Sequence, residues 1–269
     1  MSNVSIIIKE QLKNARFIFS MARYEEKATY QNHYLGLLWQ ILNPLMQIGI
    51  YYLIFGLGIR GGRSINGVPY ILWMLIGLIP WLYINSSLLG ASKSIYRQVD
   101  LASKMKFPVS ILPTINLVSN LTIFLPMGAV VLFFLIQSHF YPTIYWLQLI
   151  YYFFCMVVFL YSVSLLNATI TTLVRDYQLI LQSAVRILFY VSGTIWDFET
   201  KGIPEIIIKV LRLNPFYYII NGFRDSLIFQ RGFWENGTIT LIFWLTTFVF
   251  LILGSQIHLK FRAKFMDIN

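Results

Sequence analysis

Side chains suited to catalysis are few in this chain and lie far apart. Its three histidines are His33, His139 and His258, and its single cysteine, Cys155, sits inside an apolar run. One cysteine can form neither an intrachain disulfide nor a cysteine metal site. No apolar run combines a histidine, an acid and a nucleophile as covalent hydrolysis requires. Asp197 and Glu199 form a close acidic pair, the kind of group a membrane-embedded glycan transferase would need facing a cavity. Gly56 to Gly61 matches the glycine spacing of a dinucleotide fingerprint. It closes an apolar run and opens no crossover helix, and the stretch to Arg63 lacks the lysine of a phosphate-binding loop. The expectation is a chain without a catalytic, cofactor or metal site of its own.

The remaining chemistry is neutral. Asn43 and Gln47, Asn85 to Ser87, Asn116 and Asn120, and Asn167 with Thr169, Thr171 and Thr172 all fall within apolar runs. Such groups bond helices together or line a polar passage. Tyr51, Tyr52, Phe55, Trp81 and Tyr83 suit stacking against sugar rings, because a pyranose presents C–H faces to an aromatic plane. Aromatic belts at the membrane surface account for such residues equally well.

These groups must be held by membrane spans. The 269 residues are 57% hydrophobic and only 12% charged, with a mean hydropathy of +0.65, outside the range of soluble domains. Apolar runs at residues 37–59, 68–92, 107–137, 145–174, 177–196 and 237–257 predict six crossings at roughly 20 residues each. The fifth is the shortest and carries Arg186. With six crossings, fourteen Lys and Arg fall on the side of the termini and seven on the other, which sets both termini in the cytosol. The net charge of +10 then reflects residues flanking spans rather than a nucleic-acid site. Residues 5–27 mix apolar and basic positions at helical spacing, which predicts an interfacial helix. Residues 196–236 are too charged to span yet rich in Ile, Leu, Phe and Tyr. Pro204 and Asn214-Pro215 divide them into two short external helices that dip into the bilayer. The predicted fold is therefore an all-α integral membrane protein. Residues 1–36 form an N-terminal interfacial helix, and 37–269 form six transmembrane helices with re-entrant helices before the last. Two charged segments on the cytosolic side offer docking surfaces: Lys93, Arg97, Asp100 and Lys104 in one, Arg175 and Asp176 in the other.

The run Tyr30-Gln-Asn-His33-Tyr-Leu-Gly36-Leu-Leu-Trp39-Gln-Ile-Leu-Asn43-Pro44-Leu45 resembles the entry motif of ABC-2 type permeases that export polysaccharides. The form with Asn-His-Tyr before Leu-Gly looks most like wall teichoic acid permeases of Gram-positive bacteria. O-antigen and capsule exporters usually carry a serine-containing version. Trp81 after Pro80, Lys104-Met-Lys-Phe107-Pro108, Val174-Arg175-Asp176, and Asn214-Pro215 followed by Phe223-Arg224 extend the resemblance along the chain. It implies a homodimer in the bacterial cytoplasmic membrane, paired with two copies of a separate ATPase chain that binds MgATP. The cargo would be a polymer on undecaprenyl diphosphate: teichoic acid on the closer motif, or alternatively another lipid-linked polysaccharide of O-antigen or capsule type. Arg23, Lys27 and Lys104 are then candidates to receive the lipid diphosphate at headgroup level, and the two charged segments to meet the ATPase.

Overall fold

The computed structural model describes residues 3–30, 34–59, 64–105, 107–198 and 203–267, and they contain helices and no strand; Ile65 and Val68 form an isolated bridge. Helices α1 (Asn3–Lys13) and α2 (Ala15–Tyr30) precede α3 (Trp39–Tyr51), which continues as a π-helical stretch over Tyr52–Ile59. Then follow α4 (Tyr70–Met105), α5 (Leu112–Gln137), α6 (Gln148–Leu173), α7 (Tyr177–Val191), α8 (Glu205–Arg212), α9 (Pro215–Arg224) and α10 (Gly237–Phe261). Five stretches are long and apolar enough to cross a membrane: Ile41–Gly58, Tyr70–Gln98, Val109–Gln137, Ile144–Leu173 and Gly237–Phe265. The chain is a multi-pass membrane protein.

The fifth apolar run differs from its expected extent. Helix α7 has 15 residues, roughly 22 Å at 1.5 Å each against a hydrocarbon core of about 30 Å. It stops at Val191 instead of reaching Trp196, because Gly193 takes a left-handed φ of +66° that turns the chain. The segment after Ser92, expected as a loop, is instead helical to Met105, bent at Gln98 where φ is −121° and ψ 15°. The N-terminal helix is likewise two helices, joined at Asn14, whose side chain donates to the Glu10 carbonyl at 2.8 Å. The first span leaves α-helical geometry at Tyr52.

Helix α4 is the centre of the bundle, packed against α5, α6, α7 and α9, while α10 lies along α6. At the end carrying α1 and α2, a small apolar core of Ile18, Ala22, Ile95, Ile111, Ile115 and Phe265 fastens α2 to the bundle. Polar bonds reinforce it: Arg262 pairs with Glu10 at 2.6 Å, and Gln11 donates to the Tyr161 hydroxyl at 2.9 Å and accepts from Thr114 at 2.8 Å. The opposite end is closed by α8 and α9. Asn214 caps α9 by accepting from the Phe216 N–H at 3.0 Å, and Pro215 fills the first helical position, the arrangement its sequence called for. Unlike a surface helix, α9 is buried from Phe216 to Ile220 and again at Gly222 to Arg224.

Candidate functional site

Most of the polar groups singled out within the spans converge between α3, α4 and α5. Asn167, Thr169, Thr171 and Thr172 are instead buried elsewhere along α6, where Asn167 accepts from the Tyr177 hydroxyl at 2.7 Å and Thr169 contacts His258 at 3.1 Å. Trp39, Asn43, Pro44, Gln47, Tyr83, Asn85, Ser86 and Asn120 line a cavity of about 230 Å³. A second, of about 580 Å³, opens toward α2 and is lined by Glu25, Glu26, Ser94, Arg97, Asn116 and Asn120 among others. Asn120 and Ile123 belong to both walls, so the two are adjacent. Helical spacing explains the seam: Asn43 and Gln47 are four apart, as are Asn116 and Asn120, placing each pair on one face. The seam is internally bonded, with Asn120 donating to Ser87 at 3.2 Å and to Asn116 at 3.3 Å. Gly90 leaves room for it, since a Cβ there would lie 2.5 Å from the Asn116 amide oxygen. Three residues of the Tyr30–Leu45 motif, Trp39, Asn43 and Pro44, thus line this seam. Gly36 turns the chain ahead of them at φ +47°. The Tyr30 side chain and the whole of His33 lie outside the described residues.

Helix α2 presents two different faces. Ala22 is buried and Glu25 and Glu26 half-buried toward the bundle, whereas Arg23 and Lys27 are exposed on the outward side. Burial raises the Glu25 pKa above the usual carboxylate value, against the lowering effects of the Gln98 amide, which donates to it, and of Arg97. The larger cavity therefore meets acids of α2, and the two diphosphate candidates described there face away from it. Lys104 and Asp100 follow the bend in α4, and their side chains lie outside the described residues.

The two charged docking segments meet. The Arg175 guanidinium lies over the Tyr96 ring, 4.7 Å from its centroid, and Ser92 donates to the Gln178 side-chain oxygen at 2.7 Å. Lys93 and Arg97 flank Tyr96 on α4, and Arg175 and Asp176 are exposed at the turn into α7. Segments some eighty residues apart in sequence form one surface.

The aromatic candidates divide. Tyr51 packs on Phe189 at 5.2 Å, Phe55 on Trp196 at 5.8 Å, and Trp81 on Phe189 at 5.6 Å and Phe216 at 6.1 Å. Tyr51, Phe55 and Trp81 thus join one row between α3, α4 and α7, with Trp81 buried inside it. Tyr52 lies against Gly56 at the start of the π-helical stretch. Tyr83, two residues from Trp81 and so on another face of α4, packs on Phe124 at 5.1 Å and donates to the Leu117 carbonyl at 3.1 Å.

Sequence reasoning named Arg224 only as part of the family resemblance and missed what its side chain does. Its side chain is 1% exposed and donates to three carbonyls: Trp73 at 3.2 Å, Gly193 at 2.7 Å and Thr194 at 2.7 Å. The guanidinium also lies 3.4 Å from the centroid of the Trp73 ring, a desolvated cation–π contact. Gly77 makes the space, because a Cβ there would stand 2.2 Å from an Arg224 nitrogen. One side chain thereby ties α9 to α4 and to the turn after α7. The available signal was a glycine one turn after a tryptophan in an apolar run, with an arginine ending a short apolar helix. Asp197, the acid considered for transferase chemistry, supplies negative charge near Arg224, and Glu199 lies outside the described residues.

The helical bundle, with five stretches long and apolar enough to cross a membrane and the α8–α9 hairpin at one end, is that of an integral membrane protein, and residues 16–228 match the ABC-2 type transporter family. The chain belongs to that family. It is 27% identical over 243 residues to an O-antigen export system permease protein RfbA of Klebsiella pneumoniae, covering 90% of each chain. To a protein of the same name from Myxococcus xanthus it is 25% identical over 218 residues, covering 81% of this chain and 82% of that one.

Proposed function

We propose that the chain is the membrane-spanning subunit of an ATP-driven exporter that moves a lipid-linked polysaccharide out across the bacterial cytoplasmic membrane. The observation that carries this reading is the joining of the α4 extension to the α6–α7 turn through Arg175 and Tyr96. A partner pressing on that surface acts on α4, and α4 carries both the polar seam and the aromatic row. The partner is a separate ATPase that binds MgATP, two copies serving a homodimer of this chain, and the α1–α2 end with both termini faces the cytosol. Residues 1–36 then rest on the inner membrane surface. Arg23, Lys27 and Lys104 receive the lipid diphosphate, and the hydroxyl-rich chain follows the aromatic row and polar seam.

The cargo we favour is of O-antigen type. The Tyr30–Leu45 motif pointed to teichoic acid, but the relatives matching over most of the chain carry the O-antigen name, and whole-length similarity outweighs one sixteen-residue stretch. The test is ATP hydrolysis by the chain copurified with candidate ABC ATPases from the same genome, in lipid vesicles. Undecaprenyl-diphosphate-linked O-antigen saccharide is compared with the corresponding teichoic acid precursor. Stimulation by the first alone supports the reading, stimulation by the second alone restores teichoic acid, and failure to form any complex with an ATPase removes the export mechanism.

A further inference from the structure

A separate cavity of about 150 Å³ lies at the hairpin end, walled by α6, α9, the end of α8 and the turn into α10. Its lining combines aromatic rings (Tyr152, Tyr217 and Phe233) with polar groups (Asn221, Arg231 and Asn236). A few polar groups converging on an aromatic concavity are the general form of a small-molecule site. This one does not belong to the polar seam or the aromatic row.

The wall is held in place by the protein itself. The Gln148 side chain clamps the loop from both sides, accepting from the Phe233 N–H at 2.9 Å and donating to the Arg231 carbonyl at 3.2 Å. The Gly232 N–H donates to Glu235 at 2.7 Å, and the Arg231 N–H to the Asp225 carbonyl at 3.2 Å. Gln230 begins the loop in the left-handed region at φ +53°. Asn221 donates to the Tyr217 hydroxyl at 3.0 Å, and Tyr151 stacks on Phe233 at 4.4 Å. Gly222 lets the Tyr152 ring lie against the backbone of α9, where a Cβ would stand 2.0 Å from it.

Size and polarity narrow the ligand. An enclosed cavity of about 150 Å³ takes benzene, which has half the non-hydrogen atoms of a hexopyranose. This pocket is open where Arg231 and Asn236 are exposed, so it would seat one face of a six-membered ring and leave the far substituents outside. Here the walls are rich in amides, guanidinium and phenol, which would leave a hydrocarbon's polar neighbours unbonded. The carboxylate of Asp225 in the same wall opposes a phosphate. A ring with apolar C–H faces and a rim of hydroxyls meets both requirements. We propose that this pocket binds a single pyranose unit. As part of the transport cycle this rests on the polysaccharide-export reading, in which the hairpin end is where the polymer leaves.

The test is saturation-transfer NMR on the full chain in lipid nanodiscs, with millimolar methyl hexopyranosides as probes and methylcyclohexane-polyol analogues lacking the ring oxygen as comparison. Saturation should reach the pyranosides in the wild type. It should fall about fivefold in Arg231→Ala and in Asn236→Ala, as expected for one lost hydrogen bond. Both side chains are exposed, so both variants keep the fold, which thermal melting verifies. No transfer in the wild type, or transfer in both variants equal to that in the wild type, overturns the pocket. Cargo-stimulated ATP hydrolysis without a pyranoside signal overturns the pocket alone and leaves the export reading standing. A signal dependent on Arg231 without such hydrolysis supports the saccharide site and removes the export reading.

Discussion

Helices α3 and α4 are both apolar spans, yet they occupy opposite positions in the chain's architecture. In the most apolar stretch of α4, 72% of residues are buried, against 6% in that of α3 and its π-helical continuation. Hydrophobicity selects the membrane for both and does not select the core, because lipid tails are as good a solvent for Leu as another helix is. What draws α4 inward is specific: Gly77 and Gly90 admit neighbouring polar side chains, Trp73 offers a ring and a carbonyl, and Ser92 and Tyr83 bond across to other helices. Among the described residues of α3 no side chain hydrogen-bonds across to another helix, and a Cβ at Gly49 would meet nothing within 4 Å. One span is fixed by the chain's own contacts, and the other presents its surface to lipid or to another subunit.

This contrast can be broken or sharpened experimentally. The largest effect should come from Arg224→Leu, which leaves the Trp73, Gly193 and Thr194 carbonyls without their donor. A loss of at least about 3 kcal/mol, at roughly 1 to 3 kcal/mol for each buried acceptor left unsatisfied, should appear as a collapse of the thermal melting transition in nanodiscs. Gly77→Ala comes next, because its Cβ would stand 3.0 Å from the Thr194 carbonyl as well as pressing on the guanidinium. Overpacking of that kind costs about 1 to 3 kcal/mol, measured by the same melts. A smaller effect of opposite sign is expected for Glu25→Gln, beside the bend of α4. Since burial raises the folded-state pKa of Glu25, its stabilising contribution is complete below the ordinary carboxylate value. It is lost as pH rises through the folded value. The neutral variant should therefore melt higher than wild type at pH 7, and the gain should vanish on acidification toward pH 4. Least of all, Gly49→Ala in α3 should change stability by less than about 1 kcal/mol, in the direction of helix propensity. A large loss there would show that α3 is as tightly determined as α4.

Much of the helical plan was legible because long charge-free runs have few alternatives in a bilayer. The run at 145–174 corresponds to a short helical turn and α6 ending at Leu173, and Asn214-Pro215 opens α9 as its capping chemistry requires. The extension of α4 past Ser92 was hidden because charges mark the end of hydrocarbon, not the end of a helix. The early stop of α7 depends on Gly193, one glycine among sixteen, and nothing local distinguishes it from a packing glycine. For the site, spacing revealed which polar residues share a helix face, such as Asn116 and Asn120. It did not reveal which faces meet, so the contact between Arg175 and Tyr96 and the pocket at Asn221 needed the fold. Arg224 was obscured for a related reason: an arginine ending a short amphipathic helix reads as a solvated cap unless its acceptors, far away in sequence, are known.

The link from Arg224 to Trp73 bridges 151 residues. On a ribosome adding 5 to 20 residues each second, the second span is made roughly 8 to 30 s before the side chain that secures it. Until then the start of α4 has no such partner, so the newborn chain has an interval in which its central helix is inserted but not anchored. Only when that arginine has been made can the contact close, so a residue of α9 commits a helix whose Trp73 was made 151 residues earlier.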